Sequence, residues 1–111
     1  MLEIIFTSSF RQRLKRLSKR YRQIKRDIQP IIDELEEGNL MGGRIPGVSS
    51  IVFKVRSRNS DIPIGKSGGY RLTYQVCSPT EIALLLVYAK SDQSDISSAE
   101  LESLILQVSD E

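Results

Sequence analysis

The chain of 111 residues is predicted to fold as an α+β domain on three observations. Two apolar stripes at helical spacing follow one another in the first half. Alternating and continuous apolar segments, typical of strands, fill the second half. Glycine- and proline-marked turns separate them. The expected order is β-α-α-β-β-β-α: a small antiparallel-rich sheet with a helical hairpin packed on one face. The length suits a single domain over residues 1–111 with one core.

Leu2 to Phe6 is rich in β-formers and reads as a short strand. Thr7, Ser8 and Ser9 offer N-caps for the helix that follows. Phe10, Leu14, Leu17 and Tyr21 lie at steps of four, three and four, which is one helical stripe. Ile24, Ile28, Ile31 and Leu35 repeat the spacing, and Gly38-Asn39 ends that second helix. Pro30 lies inside it and predicts a kink or a restart. Neither helix can bury its stripe alone, so the pair must lie on the sheet.

Ile51 to Arg58 alternates, with Phe53, Val55 and Ser57 on one face and Lys54, Arg56 and Arg58 on the other. Tyr70 to Val76 alternates as well, with Tyr70, Leu72, Tyr74 and Val76 opposite Arg71, Thr73, Gln75 and Cys77. Residues 59–69 form a loop, and Ser78-Pro79-Thr80 is a turn. Ile82 to Ala89 is almost wholly apolar, as an interior strand is. Ser97-Ser98-Ala99-Glu100 is a capping box opening a short C-terminal helix through Leu101, Leu104, Ile105 and Val108. Cys77 is expected to be a small buried filler.

Composition excludes several classes of chemistry. The chain has no histidine and one cysteine, so a Ser-His-Asp triad and a paired-histidine nuclease are excluded, and the ligand set for zinc is poor. No metal and no cofactor are expected. The single cysteine and the lack of a visible signal peptide point to the cytoplasm. No apolar run approaches the roughly 20 residues that span a bilayer, so no membrane partner is expected.

The formal net charge of +2 conceals strong polarity. Residues 11–26 carry nine basic side chains (among them Arg11, Lys15, Arg22 and Lys25) and no acidic one. Residues 91–111 carry six acidic side chains and no basic one. Like charges at i,i+4 are mildly destabilising in a helix, so the basic stretch suggests contact with nucleic acid or an acidic partner.

The second basic group is set by strand phase. If Tyr70, Leu72 and Tyr74 pack on the helices, Arg71 faces the same way as Lys54 and Arg56. Lys90 closes the last strand in phase with Tyr88, and Lys66 sits in the connecting loop. Lysine and arginine are ordinary on a solvated sheet face and deter edge pairing. Arginine also grips phosphate through two parallel hydrogen bonds, and lysine supplies a point charge. The absence of acidic residues between Lys54 and Arg58 favours a polyanion site. Gly65-Lys66-Ser67-Gly68-Gly69 lacks the spacing of an ATP-binding loop and precedes a strand.

The run Gly65-Lys66-Ser67-Gly68-Gly69-Tyr70-Arg71-Leu72-Thr73-Tyr74 resembles a strand of the RelE/ParE toxins, in particular their HigB-like branch. Leu86 to Asp92 resembles the last strand of that branch, and Ile96 to Leu101 the start of its C-terminal helix. The resemblance spans nearly the whole chain. It implies a RelE/ParE-like fold and the toxin of a type II toxin–antitoxin pair, with a cognate antitoxin as partner. Many members enter the ribosomal A site and cleave messenger RNA there without a metal, as endoribonucleases. The ribose 2′-hydroxyl attacks the adjacent phosphorus, which needs a base, charge stabilisation and an acid.

By position, Lys54 and Arg56 resemble the strand-borne basic pair, with Lys54 the candidate base. Its pKa would be lowered by Arg56, Arg58 and Arg71. Arg71 resembles the phosphate-stabilising arginine, and Lys90 the basic residue that ends the last strand. Arg58, Lys66, Arg11, Lys15, Arg22, Lys25 and Tyr88 are candidates for RNA binding. Ser91 stands where several relatives carry an arginine acid, and residues 91–111 contain no tyrosine. The acid is therefore left unassigned, with Lys90 and Tyr88 as candidates. Two alternatives share the fold: a ParE-like toxin that poisons DNA gyrase, and an inactive module that binds an antitoxin as co-repressor. The antitoxin is expected to cover Lys54, Arg56 and Arg71 or to displace the C-terminal helix.

Overall fold

A computed structural model describes residues 1–62 and 68–108. Its elements are β1 (Glu3–Phe6), α1 (Ser8–Arg20), α2 (Ile24–Glu36), β2 (Gly43–Arg44), β3 (Val52–Ser57), β4 (Tyr70–Ser78), β5 (Glu81–Ala89) and α3 (Ser98–Val108). They form one five-stranded sheet in the order β1-β5-β4-β3-β2. β1 runs parallel to β5, and the other neighbours are antiparallel. The α+β class and the antiparallel-rich sheet match the expectation. β2 is an addition to it, since two residues carry no readable period. Among the described residues no helix is long and apolar enough to cross a membrane.

The helical pair covers one face of the sheet. Thr7 caps α1, its Oγ1 accepting from the Phe10 amide at 3.3 Å and donating to the Leu84 carbonyl at 2.7 Å. Phe10, Leu17, Tyr21, Ile24, Ile28, Ile31 and Leu35 are all buried in one cluster with Tyr70, Leu72 and Tyr74. The stripes therefore meet the strand face that alternation assigned to them. α2 continues through Pro30 without a restart. Pro30 and Arg26 are both exposed, so water can replace the amide that proline denies to the Arg26 carbonyl. Gly38 closes α2 at φ +92°, its amide donating to the Leu35 carbonyl at 3.0 Å.

The opposite face is covered by α3. Ser97 caps it by accepting from the Glu100 amide at 3.1 Å. Leu101, Leu104 and Ile105 bury against Ala83, Leu85, Leu86 and Tyr88. A bulge makes this possible: Thr73 pairs with Leu86 but Tyr74 pairs with Leu84, so Leu85 is an extra residue. The phase of β5 reverses there. Leu84 and Val87 both join the hairpin core, while Leu85 and Leu86 both join the α3 core. A second irregularity falls between Val76 and Ser78. It leaves Cys77 exposed, which corrects the expectation that this thiol is a buried filler.

Candidate nucleic-acid interface

Lys54, Arg56 and Arg71 lie on the α3 side of the sheet. Val55 and Leu72 are register partners, as are Ser57 and Tyr70. Val55, Leu72 and Tyr70 are buried in the hairpin core, and Ser57 Oγ donates to the Asp27 carbonyl of α2 at 3.1 Å. The intervening residues must face the other way. They form two rows across the strands. Lys54 pairs with Thr73, which pairs with Leu86; Arg56 pairs with Arg71, which pairs with Tyr88.

Arg56 is exposed and Arg71 half-buried. Arg71 Nη1 donates to the carbonyls of Gly68 at 3.1 Å and Tyr70 at 3.2 Å, which fixes the guanidinium over the start of β4. Gly69, at φ +78°, allows this turn, since a Cβ there would meet the Ser57 carbonyl oxygen at 2.3 Å. The Gly69 carbonyl also accepts from the Lys90 amide at 2.9 Å, which ties the end of β5 to the same corner.

Residues 91–97 bring acidic and polar groups back to the cations. Arg20 Nη1 meets Asp92 Oδ1 at 2.8 Å, and Arg13 Nη1 donates to Gln93 Oε1 at 3.1 Å. Lys90 Nζ donates to the Ser94 carbonyl at 2.9 Å. Lys54 Nζ meets Asp95 Oδ1 at 3.0 Å, and the Ile96 amide donates to the same oxygen at 2.8 Å. These bonds hold the Asp95 carboxyl below the ordinary aspartate range, the Ile96 amide first and Lys54 second. Burial lowers the pKa of Arg13, with repulsion from Arg16 adding to it.

Tyr88 is 1% exposed, so it offers no surface to RNA in this arrangement. Its hydroxyl has no partner in hydrogen-bonding geometry. Burial raises its pKa, and the nearby Asp95 charge adds to the rise. Lys90, half-buried just past β5, approaches Asp95 closely enough to act on it. Arg58 leaves the row: β3 ends at Ser57, and Arg58 Nε turns to within 3.9 Å of Asp27 Oδ1 on α2, with its side chain 79% exposed. Asp27 itself is buried and accepts from both the amide and the hydroxyl of Ser60. Arg11, Lys15, Arg22 and Lys25 are exposed on or beside the hairpin and do not join the Lys54 cluster. Lys66 lies outside the described residues.

A cavity of about 470 Å³ adjoins Lys54, bounded by the β2 turn and the start of α3. Arg44 and Asp95 both line it, and neither was a candidate from the sequence. Arg44 sits in a strand too short to have a phase. Asp95 reaches Lys54 across 41 positions of chain, a contact with no local signature. Among the described residues no three His, Cys, Asp or Glu side chains are grouped to hold a metal ion. No protein-family model matches the chain, and no curated protein matches its sequence.

Proposed function

We propose that the α3 side of the sheet binds single-stranded RNA and cleaves it without a metal, as the toxin of a type II toxin–antitoxin pair acting on messenger RNA at the ribosome. The observation that carries this reading is the register pairing of Arg56 with Arg71 beside Lys54. Like charges directly opposite on one sheet face are destabilising, so a bound polyanion gives the arrangement a purpose. The toxin role and cleavage at the ribosome rest on the sequence resemblance to RelE/ParE toxins, whose ParE members act on DNA gyrase instead.

In this reading Arg71, fixed by two carbonyls, and Arg56, free at the surface, hold the scissile phosphate. Lys54 supplies charge to the phosphorane as the 2′-oxygen attacks, the 2′-hydroxyl proton passing to solvent water while the phosphorus–5′-oxygen bond breaks and the 5′-oxygen takes a proton from the acid. It is assigned that role, not the base, because its Nζ already sits in an ion pair with Asp95. Lys90 takes the position of the acid, since Tyr88 is enclosed. The outward cations of α1 add sequence-independent attraction to RNA.

Primer extension on messages after induction of the chain tests the proposal. Discrete new 5′ ends are expected with the natural chain and not with Arg71→Ala. Intact messages together with inhibited DNA supercoiling would instead assign a gyrase-directed toxin. No growth defect at all would leave an antitoxin-binding module.

A further inference from the structure

We infer that the cavity beside Lys54 holds one nucleotide of the RNA and that the Asp95 carboxylate selects its base, favouring those with an exocyclic amino group over uracil. The inference rests on the reading of the basic face as an RNA site. It adds a pocket and a specificity-determining residue that the reading lacks.

The cavity, at about 470 Å³, falls within the range of small-ligand pockets, roughly 300–1,000 Å³. Its lining is divided as a nucleotide requires. Ile45, Pro46 and Ile96 give apolar walls against which the face of a base can lie. Arg44 and Lys54 give cations for the flanking phosphates. Lys54 belongs to both the cavity and the basic rows, so a strand gripped at Arg56 and Arg71 passes the cavity mouth.

The wall is built in advance. β2 pairs with β3 through Gly43 with Lys54 and Arg44 with Phe53, and the Ile45 amide donates to the Val52 carbonyl at 2.8 Å. Gly42, at φ +88°, permits this close approach, because a Cβ there would lie 2.2 Å from the Lys54 carbonyl oxygen.

Asp95 is also held in advance. Lys54 Nζ and the Ile96 amide both bond Oδ1, and the Tyr88 hydroxyl lies beside the carboxylate without meeting it in hydrogen-bonding geometry, so a ligand donor would meet Asp95 at Oδ2. An ionised carboxylate only accepts hydrogen bonds. Adenine, cytosine and guanine each carry an exocyclic amino group that offers a donor at the rim of the base, whereas the one Watson–Crick-edge donor of uracil, N3–H, is flanked by two carbonyl oxygens that repel a carboxylate. An anchored acceptor therefore discriminates against uracil.

The test is a titration of the ¹⁵N-labelled full chain with each of the four nucleoside 3′-monophosphates, followed through backbone amide shifts. Shifts are expected at Arg44, Ile45, Ile96 and Ser98, with the uridine nucleotide binding roughly fivefold to tenfold more weakly than the others. Asp95→Asn, whose amide both donates and accepts, is expected to erase that difference. Asp95 is 64% exposed in its side chain, so the variant should keep the wild-type spectrum elsewhere. Equal binding of all four nucleotides by the natural chain, or shifts confined to α1, overturns the inference. Messages cut in primer extension while the cavity amides stay unmoved overturn the inference alone. Cavity binding with the expected base order while messages stay intact overturns the cleavage reading alone.

Discussion

Arg56 and Arg71 stand directly opposite each other on β3 and β4, on the face turned away from the helical hairpin. Such a pair works against the sheet that holds it, by about 0.2–1 kcal/mol for directly opposed like charges. Arg56 is the exposed member and makes no fixed contact that the fold requires. Arg56→Thr, which places a β-former on the strand, should therefore raise stability by up to about 1 kcal/mol in urea unfolding. The same variant should weaken single-stranded RNA binding and flatten the slope of log affinity against log salt by about 0.7, the contribution of one phosphate contact. A variant less stable than the natural chain, or one with an unchanged slope, would remove the functional explanation for the pair.

Two tyrosines carry buried hydroxyls that meet no partner in hydrogen-bonding geometry: Tyr70 in the hairpin core and Tyr88 under α3, the latter beside the Asp95 carboxylate. An unsatisfied buried hydroxyl costs about 1–3 kcal/mol, and removing it leaves the ring packing intact. Tyr70→Phe and Tyr88→Phe should each raise the midpoint of thermal unfolding. Tyr88→Phe should leave message cleavage in place, because the enclosed phenol is not the acid in the mechanism proposed. Loss of cleavage with retained fold would return that role to Tyr88 and take it from Lys90.

The parts of this fold that were legible in the sequence are those with a repeating local cause. Phe10, Leu14, Leu17 and Tyr21 fall on one side of any α-helix, and Lys54 and Arg56 fall on one side of any strand. The shared orientation of Lys54, Arg56 and Arg71 needed only that the apolar residues of both strands pack on the same helices, as they do. Arg58 did not follow, because the alternation rule lapses where β3 ends. The bulge at Leu85 was hidden because every residue from Ile82 to Ala89 is apolar, so a change of phase leaves no mark. Cys77 was misjudged for the related reason that an irregular strand end has no fixed inward side. The link from Asp95 to Lys54 is tertiary. Segregation of acidic residues into 91–111 hinted at a return to the basic part of the chain but named no pair.

Glycine positions separate conformational strain from collision. Gly38 and Gly69 both have positive φ, yet a Cβ at Gly38 meets nothing within 4 Å and one at Gly69 meets the Ser57 carbonyl oxygen at 2.3 Å. Gly38→Ala should cost about 1–2 kcal/mol, the penalty for a left-handed backbone alone. Gly69→Ala should cost more, about 3 kcal/mol or above, because the β3–β4 pairing must also part. The neighbouring Gly68 carbonyl orients Arg71, so Gly69→Ala should reduce RNA cleavage beyond what its loss of stability explains. Equal destabilisation of the two variants in urea unfolding would show that the turn accommodates a side chain.

Alkaline pH should unfold the domain through its buried phenols. Burial pushes Tyr74 up to about 12 and raises Tyr70 and Tyr88 as well. An unfolded tyrosine ionises near pH 10. Above that value the unfolded chain releases protons that the folded chain still holds, so the folded state binds more protons and stability falls as pH rises. The contribution is complete below about pH 10 and is lost as pH climbs through the raised folded values. Urea midpoints should therefore be flat in this respect up to about pH 9 and decline above about pH 10. Phenolate absorbance should show late ionisation that coincides with loss of helical circular dichroism. Tyr74→Phe should shift the decline to higher pH, since it removes one of the protons released on unfolding. Early, independent ionisation of Tyr70, Tyr74 and Tyr88, with the helical signal intact, would mean that these rings are open to solvent.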